Sequence, residues 1–298
     1  MRAYDVIYRT THAMPDNDSL QWVDATHMKE YRRLSIIGLS ACFVCLGGAL
    51  FMLPGFVQII GLAIGGICLA LRTAGRRSFG TFVIKMLDTG CDPVLFCRRY
   101  LAFLAAGRPS GDYTDGVWKY AYGLLWQGQW DQAIKLIRTL EPEMSDPNIA
   151  FAYDSFMADC AFALRDPEKL MAYIQAMKSL RGRRVERDAM LHANELEVLY
   201  NLLALERNGD FAQARGIIEA ALKAPGLLPI EEVAFNLHLA ECTEDPETRH
   251  ALLSFVHERG GTTWCANRAR MLLAEDAERA AASARNAAAP VAAAEPTA

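Results

Sequence analysis

The most uneven feature of the chain is the spacing of its apolar positions. Between Arg33 and Arg72 there is no Asp, Glu, Lys, Arg or His, and the only clearly polar side chains are Ser35, Ser40 and Gln58. Residues 34–53 form an apolar run of 20, roughly 30 Å long as a helix at 1.5 Å per residue and so matched to a hydrocarbon core. Residues 56–71 form a second run of 16, roughly 24 Å and short for a span. Pro54 and Gly55 lie between them; a residue without an N–H followed by one that tolerates positive φ favours ending one helix and turning into the next. The pattern predicts a transmembrane helical hairpin over 34–71 with its turn at Pro54 and Gly55. Lys29, Arg32 and Arg33 precede it and Arg72, Arg76 and Arg77 follow it, so the positive-inside rule places both termini in the cytoplasm. Gly61 and Gly65 lie four apart, a spacing that lets helices approach, either the other arm or a second copy of the chain.

After Arg77 the pattern becomes a mixed, Ala- and Leu-rich helical one, and it repeats. Five stretches stack on one another: "CDPVLFCRRY", "GQWDQAIKLI", "RDPEKLMAYI", "GDFAQARGII" and "EDPETRHALL". Aligning Asp92, Gln129, Asp166, Asp210 and Asp245 gives intervals of 37, 37, 44 and 35 residues, the range of helical-hairpin solenoids. One residue on stands Pro93, Trp130, Pro167, Phe211 or Pro246, each suited to opening a helix after a turn. Eight residues on stands Tyr100, Ile137, Ile174, Ile218 or Leu253, always apolar, as the buried face of the second helix of each pair requires.

"GQWDQAIKLI" and "GDFAQARGII" resemble tetratricopeptide repeats: a glycine, an aromatic two residues later (Trp130, Phe211), an alanine three further on (Ala133, Ala214) and an apolar residue four beyond (Ile137, Ile218). The resemblance implies an all-α fold in which helix pairs stack into a curved solenoid whose concave side binds peptides or partner proteins. It carries no catalytic residues. The expected organisation is a cytoplasmic segment over 1–33 with a juxtamembrane helix from Asp18, the hairpin over 34–71, a basic linker over 72–79, a tetratricopeptide-like α-helical repeat domain over 80–275 and an Ala-rich, disordered tail over 276–298. Trp22, Met28 and Tyr31 are the expected interfacial anchors.

Charge and cysteine content narrow the function classes. The net charge of -4 conceals five basic and five acidic groups over 1–33, three basic and none acidic over 34–77, and 23 basic and 30 acidic over 78–298. An acidic bulk is poorly suited to tracking a phosphate backbone, so nucleic acid is excluded as a partner. Eight scattered cysteines do not make a disulfide framework, and no cleavable signal peptide precedes the first apolar run. The expected location is therefore an integral protein of the plasma membrane, in contact with the lipid bilayer.

Candidate chemistry is sparse. Nothing matches a Walker loop, a dinucleotide fingerprint, a nucleophile elbow or a zinc-protease helix, so neither enzymatic activity nor a cofactor is expected. Cys42 and Cys45 have the spacing of a metal clip but lack a second pair, and small-residue packing accounts for them. His238 and Glu241 share one helix face and His250 and His257 another; joined, they would make the metal site of a metal-dependent enzyme, which surface polarity explains more simply, and no metal is expected. "RGRRVER" sets Arg181, Arg183, Arg184 and Arg187 in one short span, either a contact for anionic headgroups or an acidic partner or a solvated connector. Trp118, Tyr122 and Trp126 stand four apart, a stripe that faces either the core or a ligand.

The reading that joins these features is a membrane-anchored scaffold that binds an unidentified protein or peptide through its helical domain, with Trp118, Tyr122, Trp126, Arg183 and Arg184 as partner-binding residues. A membrane-structural protein whose hairpin oligomerises or shapes the bilayer is the alternative.

Overall fold

The computed structural model describes residues 2–25, 33, 36–41, 43, 63–68, 70, 83–107 and 113–288. They are helical throughout, with no strand among the described residues. The chain divides into two compact units, Met1–Tyr200 and Asn201–Ala298.

The first unit holds α1 (Ala3–Thr11), α2 (Asn17–Val23), a helical turn over 83–88, α3 (Pro93–Ala106), α4 (Tyr113–Trp126), α5 (Trp130–Ile137), a 3-10 helix (Arg138–Glu143), α6 (Pro147–Ala163), α7 (Pro167–Ser179) and most of α8 (Arg183–Asn208). Antiparallel neighbours pack in chain order: α3 on α4, α4 on α5, α6 on α7, with α4 and α5 also meeting α6. The core between them holds Phe96, Val117, Leu124, Ile137, Phe156 and Ile174, all buried. The second unit holds the end of α8, α9 (Phe211–Leu222), α10 (Pro229–Glu241), α11 (Pro246–Arg259) and α12 (Trp264–Ala288), with α9 on α10, α10 on α11 and α11 on α12.

Local chemistry sets the helix starts. Asp92, Gln129, Asp166, Asp210 and Asp245 are each the N-cap of a helix, and the next residue opens it. In three of them, Asp92, Asp166 and Asp245, the carboxylate accepts an N–H of the first turn, satisfying a donor that the helix itself leaves unpaired. The residue before four of these caps has positive φ: Cys91 at 48°, Gly128 at 78°, Arg165 at 55° and Gly209 at 80°. At Gly128, Arg165 and Gly209 the following N–H bonds the carbonyl five residues back, so one left-handed helix stop recurs between paired helices. Tyr100, Ile137, Ile174, Ile218 and Leu253 are all buried, as are Ala133 and Ala214. Recurrence of this turn is a property of helical hairpins in general and does not assign the chain to a family.

The membrane part of the expected fold is corrected. Among the described residues no helix is long and apolar enough to cross a membrane. Within 34–71 the described stretches 36–41 and 63–68 are helical. They meet at small residues, a Cβ on Gly38 falling 2.7 Å from the Cys68 Cβ and 3.3 Å from the Gly65 carbonyl oxygen. An uncharged apolar run sets the cost of wetting its side chains; it does not by itself set the length of one continuous helix. The fold class is all-α without the transmembrane hairpin, and the integral-membrane location drawn from it, with both termini in the cytoplasm, falls with it. Pro54, Gly55, Gly61, Cys42 and Cys45 lie outside the described residues.

Two boundaries also move. Residues 1–33 are not a segment apart: α1 packs on α3, α4 and α5, and α2 packs on α3. Ala3, Val6 and Ile7 of α1 are buried, and the Trp22 ring, expected as an interfacial anchor, has the Arg99 guanidinium 4.2 Å above its centroid. Met28 and Tyr31 lie outside the described residues. At the other end α12 stays helical through Ala288, past the boundary expected at 276.

Candidate functional site

Helix α4 reads YTDGVWKYAYGLLW, and its two sides are built differently. One side carries Gly116 and Gly123 and comes very close to its neighbours. A Cβ on Gly123 would fall 2.5 Å from the Cys97 Sγ and 2.7 Å from the Phe96 ring, and one on Gly116 would fall 2.6 Å from the Ala3 Cβ. A second side carries Trp118, Tyr122 and Trp126, each half-buried. Trp118 and Tyr122 stack with centroids 5.2 Å apart and planes at 9°, while Trp126 meets Tyr122 edge-on at 6.2 Å and 82°. Both geometries suit the ring quadrupole. The indole N–H groups of Trp118 and Trp126 are buried without a hydrogen-bond partner among the described residues, which costs about 1–3 kcal/mol each relative to a bonded donor.

Where the stripe meets the start of α6 there is a recess of about 420 Å³. Trp118, Ile149 and Ala152 give it apolar surface, and Tyr113, Asp115, Glu143 and Asp146 give it polar surface. The 3-10 helix that supplies Glu143 is held on both sides by tyrosines: the Tyr113 hydroxyl of α4 donates to Glu143 and the Tyr153 hydroxyl of α6 donates to Glu141 at 2.8 Å. Burial, and then the Glu143 carboxylate, push the Tyr113 hydroxyl up to about 12, so it stays a donor. Asp146 caps α6, accepting from the Asn148 backbone N–H at 2.8 Å and its side-chain amide at 2.9 Å. The Asn148 backbone bond first, then its side chain, hold the Asp146 carboxyl below the usual carboxylate range. Asp115 is paired with Lys119 at 2.7 Å.

The expected partner-binding residues are thus divided. Trp118, Tyr122 and Trp126 come together on α4, and Trp118 lines the recess. Arg183 and Arg184 open α8, and Arg184 is exposed. Around them Arg181 donates to the last carbonyls of α7, at 3.2 Å to Lys178 and 3.0 Å to Leu180, and Arg187 pairs with Asp188 at 3.2 Å. Arg181 and Arg187 are thereby tied to the connection between α7 and α8. The acidic residues of the recess were missed because Asp115 on α4 and the neighbouring Glu143 and Asp146 before α6 come from separate elements and share no motif.

The other polar clusters are structural. His238 is buried on α10 and bonds Glu206 at 3.0 Å, whose same oxygen takes the Cys242 thiol at 3.6 Å. Glu241 instead pairs with Arg268 at 3.4 Å, and His250 and His257 are exposed on α11. The four residues weighed as a metal site do not converge, and no group of three His, Cys, Asp or Glu among the described residues is placed to hold a metal ion. Ser155 Oγ lies 2.8 Å from His192 Nε2, and His192 Nδ1 lies 3.3 Å from Glu195. This has the connectivity of a nucleophile, base and acid, but Ser155 sits in the middle of α6, where helical bonding consumes the backbone N–H groups that an oxyanion would need. Asp154, beside it, is 6% exposed and burial pushes its carboxyl up to about 6.

Comparison with protein families, with curated proteins and with solved structures finds no match to this chain, so the tetratricopeptide resemblance has no support from it.

Proposed function

We propose that the chain is a binding protein whose first unit takes an extended segment of a partner polypeptide along α4, between the aromatic stripe and the start of α6. The observation that carries this reading is the recess of about 420 Å³ at the end of a stripe of half-buried rings. Its volume falls within the range of sites that hold small ligands or single anchor side chains, and half-buried Trp and Tyr are the residue types that dominate protein recognition. The unpaired indole N–H groups of Trp118 and Trp126 add two donors that ring rotation towards peptide carbonyls would satisfy. Catalysis is not part of the proposal, because Ser155 of the Ser155–His192 cluster sits mid-helix, where the backbone N–H groups are already bonded.

The experiment is panning of a random peptide library on the whole chain, with counter-selection on Ala152→Trp. Ala152 lines the recess and is not fully buried, so an indole there occupies the recess while the helix persists. Peptides that bind the wild type and fail on Ala152→Trp, with unchanged far-ultraviolet circular dichroism, are expected. Enriched peptides that bind both proteins equally would refute the α4–α6 groove.

A further inference from the structure

Resting on that reading, we infer that the anchor side chain taken by the recess is an arginine. The carboxylates of Asp115, Glu143 and Asp146 line it, and among the described residues no Lys, Arg or His does. Lys119 neutralises Asp115 from 2.7 Å. Glu143 is bonded by a neutral hydroxyl and Asp146 by neutral N–H groups, and among the described residues no cation is paired with either. These carboxylates alone would describe an acidic surface; the recess and the Trp118 ring that lines it make a site.

The chemistry selects the kind of cation. A metal ion needs several ligands converging on one point, and no such group is found among the described residues. A lysine ammonium is a compact, strongly hydrated charge, whereas a guanidinium is planar, less hydrated, stacks on an indole and presents a fork of N–H donors to carboxylates. The recess brings an indole and carboxylates into one concavity. The same unit already contains a guanidinium on an indole, Arg99 over Trp22 at 4.2 Å.

The test uses the whole chain with ¹⁵N-labelled tryptophan, the Trp118 indole signal being identified as the one lost in Trp118→Phe. The probes are N-acetyl-arginine amide, its uncharged near-isostere N-acetyl-citrulline amide and N-acetyl-lysine amide, each titrated to about 50 mM because a lone side chain binds in the millimolar range. A saturable shift of the Trp118 signal with the arginine probe is expected, at least about fivefold weaker with the citrulline and lysine probes and reduced about fivefold by Glu143→Gln, as for loss of a charge-assisted bond. The other indole signals report that the variant is folded. Equal shifts from arginine and citrulline would overturn the arginine assignment while leaving the groove standing. No shift from any probe would overturn it as well, and panning that also yields no recess-dependent peptide would remove the groove reading separately.

Discussion

Asp154 gives the sharpest quantitative test of the fold. It lies on α6, 6% exposed, and burial pushes its carboxyl up to about 6, against about 3.9 for an aspartate in an unfolded chain. Between those values the folded state binds more protons than the unfolded one, so the slope of stability with pH is negative. Stability falls as pH rises from about 4 to about 6 and is level above that. At about 1.36 kcal/mol per pH unit the ceiling is about 3 kcal/mol, and water reaching the carboxylate lowers it to about 2 kcal/mol. Asp154→Asn replaces the carboxyl with a neutral group of the same shape, so it should match the wild type near pH 4 and exceed its stability by about 2 kcal/mol at pH 7.5. The aspartate caps Asp16 and Asp166 act in the opposite sense: bonds to Ser19 and Lys169 depress their carboxyls. Their contribution is present above about pH 4 and lost as pH falls through the lowered folded value, so it cancels when variant and wild type are compared at one pH. The assay is urea unfolding followed by tryptophan fluorescence, which reports mainly on the first unit because Trp22, Trp118, Trp126 and Trp130 lie in it and only Trp264 does not. A variant with the same pH slope as the wild type, or one less stable at both pH values, would refute the account of Asp154 as a carboxylate held in a desolvating site.

Other outcomes follow from packing and backbone geometry. Ala214 is fully buried on α9, so Ala214→Trp should overpack its contact by about 1–3 kcal/mol or more; an unchanged melting curve would show that α9 has room there. Arg165 holds φ at 55° in a turn where Gly128 and Gly209 stand in the equivalent places, and Arg165→Gly should raise stability by about 0.5–1 kcal/mol in denaturant unfolding. Asp166→Ala removes the bond to the Lys169 N–H at 3.0 Å and should cost about 1 kcal/mol by the same measurement. Gly116→Val places side-chain carbon where Ala3 packs, so it should loosen α1 and speed tryptic cleavage at Arg9; cleavage at the wild-type rate would mean that α1 does not depend on that contact.

What was legible in the sequence is what depends on near neighbours along the chain. Asp92, Asp166 and Asp245 followed by proline marked helix starts because capping is settled within a few residues of the turn. Tyr100, Ile137, Ile174, Ile218 and Leu253 were recognisable as core because helical periodicity fixes which residues share a face. The aromatic stripe was visible for the same reason, though not which way it faced. The apolar run over 34–71 misled because charge-free composition specifies an environment without specifying one continuous helix, and among the described residues no helix is long and apolar enough to cross a membrane. Tertiary structure alone decided the rest. It brought α1 onto α4 at Gly116, set the Arg99 guanidinium over Trp22, and left Glu241 on Arg268 while His238 turned to Glu206. It also gathered Asp115, Glu143 and Asp146 around Trp118. These meetings join different helices, and they depend on how close two helix axes come, a distance set by the glycines and side chains at each crossing rather than by any local pattern.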